Sequence, residues 1–125
     1  MKLFNGDIFT AKEPLEKLSE HKLPIKTSLA IAKMTIKLNE EFQAIEQVRQ
    51  GLIRKYGEAN KEDPNLISVK PESENYPKFV EEVTELLEQE VEVVIKKVKL
   101  PEEVDGKPLE IEPKILMALE KFIEV

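Results

Sequence analysis

From Pro24 to Tyr56 the apolar positions recur at helical spacing without interruption, and Gly57 closes the run. Two stripes are present. Ile25, Leu29, Ala32 and Ile36 form one; Ile31, Met34, Leu38, Phe42, Ile45, Leu52 and Tyr56 form a second and longer one. The pattern predicts a single helix over 24–57, with Pro24 at its first position. Lys55 suits the negative end of the dipole, and Gly57 suits a left-handed cap. At roughly 1.5 Å per residue such a helix is about 50 Å long, more than the core of a small domain covers. Its leftover apolar surface predicts a homo-oligomer with the long helix forming much of the interface. Two stripes in the first half and one in the second predict deeper burial of the N-terminal half. Gly51 interrupts a run of good helix formers at a cost of up to about 1 kcal/mol, which predicts a kink or a close helix crossing there.

Before this helix, Asn5-Gly6 lies between Lys2-Leu3-Phe4 and Asp7-Ile8-Phe9, the pattern of a tight hairpin turn. Thr10 followed by Glu13 reads as a capping box, predicting a short helix to about Glu20 that buries Leu15 and Leu18, with Pro14 near its first turn. After the helix, Glu58–Pro77 holds Pro64, Pro71 and Pro77 and reads as irregular, apart from a candidate edge strand at Leu66–Val69. A second helix over roughly 77–89 has Phe79, Val80, Val83, Leu86 and Leu87 on one face and Glu81, Glu82, Glu85 and Glu88 on the other. Glu90–Val98 is β-branched and alternating, with Val93-Val94 breaking the period. Asp105-Gly106 reads as a turn, Leu109–Ile111 as a return strand, and Pro113 opens a last helix docking Ile115, Leu116, Leu119 and Phe122. The expected fold is therefore α+β: one long helix, two or three shorter helices and a small antiparallel sheet. That sheet would combine Glu90–Val98 and Leu109–Ile111 with Leu66–Val69 or the N-terminus.

The 125 residues fit one domain, divided into an N-terminal turn and short helix (1–23), the long helix (24–57), a loop (58–76) and a helix, hairpin and C-terminal helix (77–125). Cysteine is absent, which excludes a disulfide framework and thiolate chemistry. Trp is absent and aromatics make up 6%, a poor basis for stacking bases. No apolar run approaches membrane-spanning length and no leader-like segment follows Met1, so a soluble protein of the host cell cytoplasm is expected, without a membrane partner.

The net charge of −6 is unevenly spread. Residues 24–57 carry six bases against three acids, while 58–125 carry nine bases against eighteen acids. The basic helix either complements the acidic remainder, within or between subunits, or faces an anionic ligand. A chain of this overall sign is not built for duplex nucleic acid.

Little in the sequence signals catalysis. His21 is the only histidine and falls in a linker, the glycines form no phosphate loop, and no serine has a nucleophile elbow. The pairs Glu81/Glu85 and Glu85/Glu88 share a helical face, as a run of solvated acids does. No enzyme activity, metal or cofactor is expected. Two basic groups are candidates for ligand binding. Lys26, with Thr27, lies at the start of the long helix, where free N–H groups and the dipole favour an anion. Arg49, Arg54 and Lys55 cluster with Tyr56 at the other end, residue types that anchor interfaces and hold phosphates.

Three segments, Leu23-Pro24-Ile25-Lys26-Thr27, Arg49–Gly57 and Ala118-Leu119-Glu120-Lys121-Phe122-Ile123, together with the order of elements between them, resemble small uncharacterised proteins of phages and prophages of Gram-positive bacteria. The resemblance covers most of residues 20–125 and implies a viral origin and a role in binding; it brings no catalytic residues. It leads to the expectation of a non-enzymatic phage protein that counters host defence by capturing a host protein or an anionic nucleotide signal at a subunit interface. The alternative is an accessory protein of virion assembly, in the tail or connector. The expected partners are a second copy of the chain together with a host or phage protein or a small anionic ligand.

Overall fold

A computed structural model of the chain describes residues 1–59 and 66–124. It holds four helices, α1 (Asn5–Ser19), α2 (Ile25–Tyr56), α3 (Tyr76–Glu88) and α4 (Pro113–Ala118), and eight short strands. The expected mixture of one dominant helix, shorter helices and limited β structure is therefore present. Pro64, which belongs to the irregular stretch, lies outside the described residues.

The long helix runs as the apolar period demands, with Pro24 just outside it as the N-cap rather than as its first residue. Its second stripe is the buried one. Ile31, Met34, Leu38, Ile45 and Tyr56 are buried, and Phe42 and Leu52 are half-buried. The first stripe is not in the core: Ile25, Leu29, Ala32 and Ile36 are all exposed. This overturns the expected deeper burial of the N-terminal half. At 100° per residue the two stripes lie on opposite sides of the helix, and only one of those sides faces the core, while Ala32 and Ile36 of the other border α1 across an open depression. Gly51 marks no crossing either, since nothing lies within 4 Å of where its Cβ would stand.

The N-terminus departs most from expectation. Asn5-Gly6 is no hairpin turn and Thr10 no cap; α1 begins at Asn5. The residues before it, β1 (Lys2–Phe4), pair instead with a distant strand, β4 (Glu90–Glu92), with Leu3 opposite Val91. A hairpin needs its flanks to pair with each other, and this ladder removes one of them. Asp7 takes the reciprocal capping role, accepting the Phe4 N–H at 2.9 Å. The Thr10 hydroxyl donates to the Gly6 carbonyl within the helix. Asn5 also caps the end of α3: its side-chain amide donates to Leu86 O at 3.0 Å and its backbone N–H to Gln89 O at 2.8 Å. Pro14 sits inside α1, where an interior proline costs roughly 3 kcal/mol. Burial of Ile8, Ala11, Leu15 and Leu18 along the same face offsets it.

The expected antiparallel pairing of the N-terminus with Glu90–Val98 is present, but no single sheet forms: the strands of the described residues make four separate two-stranded ladders. β1–β4 and β2 (Glu58–Ala59)–β3 (Ile67–Ser68) are antiparallel. β5 (Val98–Lys99) runs parallel to β8 (Ile123–Glu124), and β6 (Glu103–Val104) pairs with β7 (Lys107–Pro108). The segment Glu90–Val98 breaks at Val93-Val94 because Val93 turns into the core while Val94 stays in solvent. Its second half then finds the C-terminal strand, and Leu109–Ile111 forms no strand. The β6–β7 turn is the expected Asp105-Gly106, both residues at positive φ (54° and 77°).

One core joins these pieces. Side chains from α1 and α2 meet Leu3, Val93, Val98, Leu100, Ile115, Leu119, Phe122 and Ile123. α3 packs on α1 and α2 through half-buried Phe79, Val83, Leu86 and Leu87, and buries none of them fully.

Gly57 follows α2 with extended backbone (φ −86°, ψ 167°), not the left-handed conformation expected of a cap. Glycine is needed there for space. A Cβ would collide with the Ile53 carbonyl oxygen and stand 2.7 Å from Ile67 Cγ2. The two glycines thus predict opposite effects in urea unfolding. Gly51→Ala should stabilise by about 0.5–1 kcal/mol, because only helix propensity changes. Gly57→Ala should destabilise by about 1–3 kcal/mol through overpacking. Equal shifts at the two sites would contradict this account.

Candidate functional site

A groove of about 630 Å³ lies between the first half of α2 and the extended chain from Ile95 to Glu102. One wall is a single helical face, on which Lys26, Thr27, Ala30, Lys33, Met34 and Lys37 recur at three- and four-residue spacing. The other follows the period of an extended chain. Val98 and Leu100 turn inward and are buried, so Lys97 and Lys99 turn outward, with Lys96 beside them. Lys37 ties the walls together, its Nζ donating to Val94 O at 2.7 Å. The result is an apolar floor (Ala30, Met34, Ile95, Val98, Leu100, Pro101) edged by six lysines and one carboxylate, Glu102.

Several bases outside the groove are ion-paired. Lys17, Lys22, Arg49, Lys55 and Lys121 each face a carboxylate within 4 Å. Among the described residues, no groove lysine is part of an ion pair. Clustered ammonium groups without counter-charges attract anions, and phosphate oxygens suit them as compact point donors.

The sequence candidates divide between two places. Lys26 lines the groove. Arg49, Arg54, Lys55 and Tyr56 lie about 35–45 Å away along the helix axis, so no single small ligand spans both groups. At that far end most of the polar capacity is already used. The Arg49 guanidinium grips Glu46 with two bonds, 3.0 Å from Nε and 2.7 Å from Nη2. It also lies over the Phe9 ring, which stacks on Phe42 with centroids 5.6 Å apart. Lys55 sits 4.9 Å from the Tyr56 ring centroid and 3.6 Å from Glu82. Tyr56 is buried in the core, and Arg54 is exposed. His21, expected in a solvated linker, is half-buried with Nε2 3.4 Å from Glu112.

Lys96, Lys97 and Lys99 are the functional candidates that the sequence did not single out. Their signal was a basic run, Lys96-Lys97-Val98-Lys99, inside the acidic half of the chain. A net charge summed over 58–125 conceals it, because of the described acids in that stretch only Glu102 lines the groove. No protein-family model matches the chain, and no curated protein or solved structure matches it either.

The Arg49–Glu46 pair gives a pH signature of its own. Arg49, and then Gln50, hold the Glu46 carboxyl at about 2, against an ordinary value of 4.5. A lowered folded value means that the contribution is fully present above pH 4.5 and lost as the pH falls towards 2. The pair is partly exposed, so its worth is at most about 1 kcal/mol. Glu46→Gln should therefore cost about that much at pH 7 and progressively less as the pH falls to 2 and below. A cost that persists undiminished at pH 2 would assign the effect to packing.

Proposed function

We propose that this chain is a non-catalytic binding protein that captures a small phosphate-bearing ligand of the nucleotide class in the lysine groove. The observation that carries the reading is the set of six lysines around one apolar-floored groove, in a chain whose net charge is −6. Local charge of the opposite sign to the whole focuses attraction on that place and leaves the remaining surface repellent to nucleic acid and to anionic membranes. Apart from the lysines, the polar side chains of the lining are Glu102 and Thr27, with no histidine or cysteine among them, and charge-rich walls over an apolar floor favour holding an anion. The lining also holds no aromatic ring, so affinity comes from phosphates on the lysines and from a sugar or base lying against Met34, Ile95 and Pro101. If the chain is encoded by a phage, as the resemblance of its helical segments implies, such capture would withdraw an anionic nucleotide signal from the host.

Titration calorimetry with linear and cyclic nucleotides and with inorganic tripolyphosphate tests this. Binding is expected for ligands with two or more phosphates, weakening as salt screens the lysines. Lys33→Glu combined with Lys97→Glu removes one donor from each wall, and each charge-assisted contact is worth about 1.5–3 kcal/mol, so affinity should fall at least a hundredfold. Absence of heat for every ligand at low salt would reject the reading.

A further inference from the structure

The outer stripe of α2 borders the groove. Ile25 is 88% exposed, Leu29 53% and Ile36 64%, and exposed Ala32 lies between them. Lys33 is four residues from Leu29 and three from Ile36, and Lys26 is three from Leu29, so the groove lysines form one flank of the stripe. The other flank carries Ser28, Thr35 and Asn39, without charge.

The spacing of the stripe is a palindrome, four, three, four. Two copies laid antiparallel about a two-fold axis therefore match it throughout: Ile25 meets Ile36 of the second copy, and Leu29 meets Ala32. A two-fold of this kind also brings like flanks together. Lys26 of each copy then stands beside Lys33 of the other, and the two grooves open onto one shared edge. The apolar strip is about 17 Å long and one helix wide, well short of the roughly 800 Å² per partner buried by a standard interface. Apolar contact alone is thus too small for a stable dimer, and four converging ammonium groups oppose it further.

We infer that the occupant of this face is a second copy of the chain and that an anion in the grooves is what closes the dimer. The phosphate neutralises the Lys26 and Lys33 of both copies, so the second copy completes the rim of each groove. This rests on the anion-binding reading of the groove. It extends that reading from a single chain to a site shared across a two-fold axis, with association and capture coupled.

The test is sedimentation equilibrium of the full chain at low salt, with and without tripolyphosphate, run beside calorimetry on the same samples. The expected result is a dimer whose dissociation constant falls at least about tenfold when the anion is present. Leu29→Glu, and independently Ile36→Glu, should abolish the anion-driven dimer while each chain still binds tripolyphosphate. That binding should be weaker by the same factor, because coupling is reciprocal. Three outcomes overturn the inference while leaving the groove reading intact: binding heat with the chain remaining monomeric, a dimer equally strong without the anion, or association insensitive to both substitutions, which would place it on another face. No heat from the unsubstituted chain would reject both.

Discussion

Burial of one side of α2 is the contact on which the other elements depend. Ile31, Met34, Leu38 and Ile45 supply one edge of the core, which α1 and the strand at Val98 meet directly, and α1 in turn carries α4 and β1. Each of those pieces is too small to be stable alone. α4 has six residues, and every ladder has only two strands, below the size at which helices or hairpins persist in water. They hold their shape because α1 and α2 together present a continuous apolar surface, on which β1, β5, α3 and α4 dock. With no multi-stranded sheet present, side-chain packing rather than β hydrogen bonding sets the arrangement.

The same economy explains where charge collects. Outside the groove several basic side chains meet an acid from a neighbouring turn or element, as Arg49 meets Glu46 and Lys121 meets Asp7. At the groove the two walls approach one another with lysine on both sides. Nothing in the packing of the core demands this, since the apolar floor would be equally satisfied beneath acidic or neutral rims. A like-charged cleft carries an electrostatic cost that the fold gains nothing from.

Local signals were read well and pairings poorly. The limits of α2 and α3, the start of α4 at Pro113 and the Asp105-Gly106 turn follow from periodicity, proline placement and turn chemistry within a few residues of each position, whereas the expected last helix, carrying Leu119 and Phe122, stops at Ala118. Asn5-Gly6 and Thr10–Glu13 carried equally strong local signals and were misread, because the partner of Lys2–Phe4 lies near residue 91. The break at Val93-Val94 was visible, but not that Val98 would turn to Ile123 in parallel. Of the site, Lys26 was legible because a helix start announces itself. Lys96, Lys97 and Lys99 were not, because their meaning depends on which face of α2 they lie against.

One consequence concerns the order of events during synthesis. The second wall of the groove is held in place by β8: Val98 N–H donates to Phe122 O and Leu100 N–H to Glu124 O, both at 2.9 Å. The helical wall is complete once residue 56 has been made, yet the strand that positions its counterpart is not made until residue 124. A nascent chain on the ribosome, however far its helices have formed, therefore lacks the second wall of the groove. The groove is complete only once Ile123 and Glu124 have been made and have paired with Val98 and Lys99.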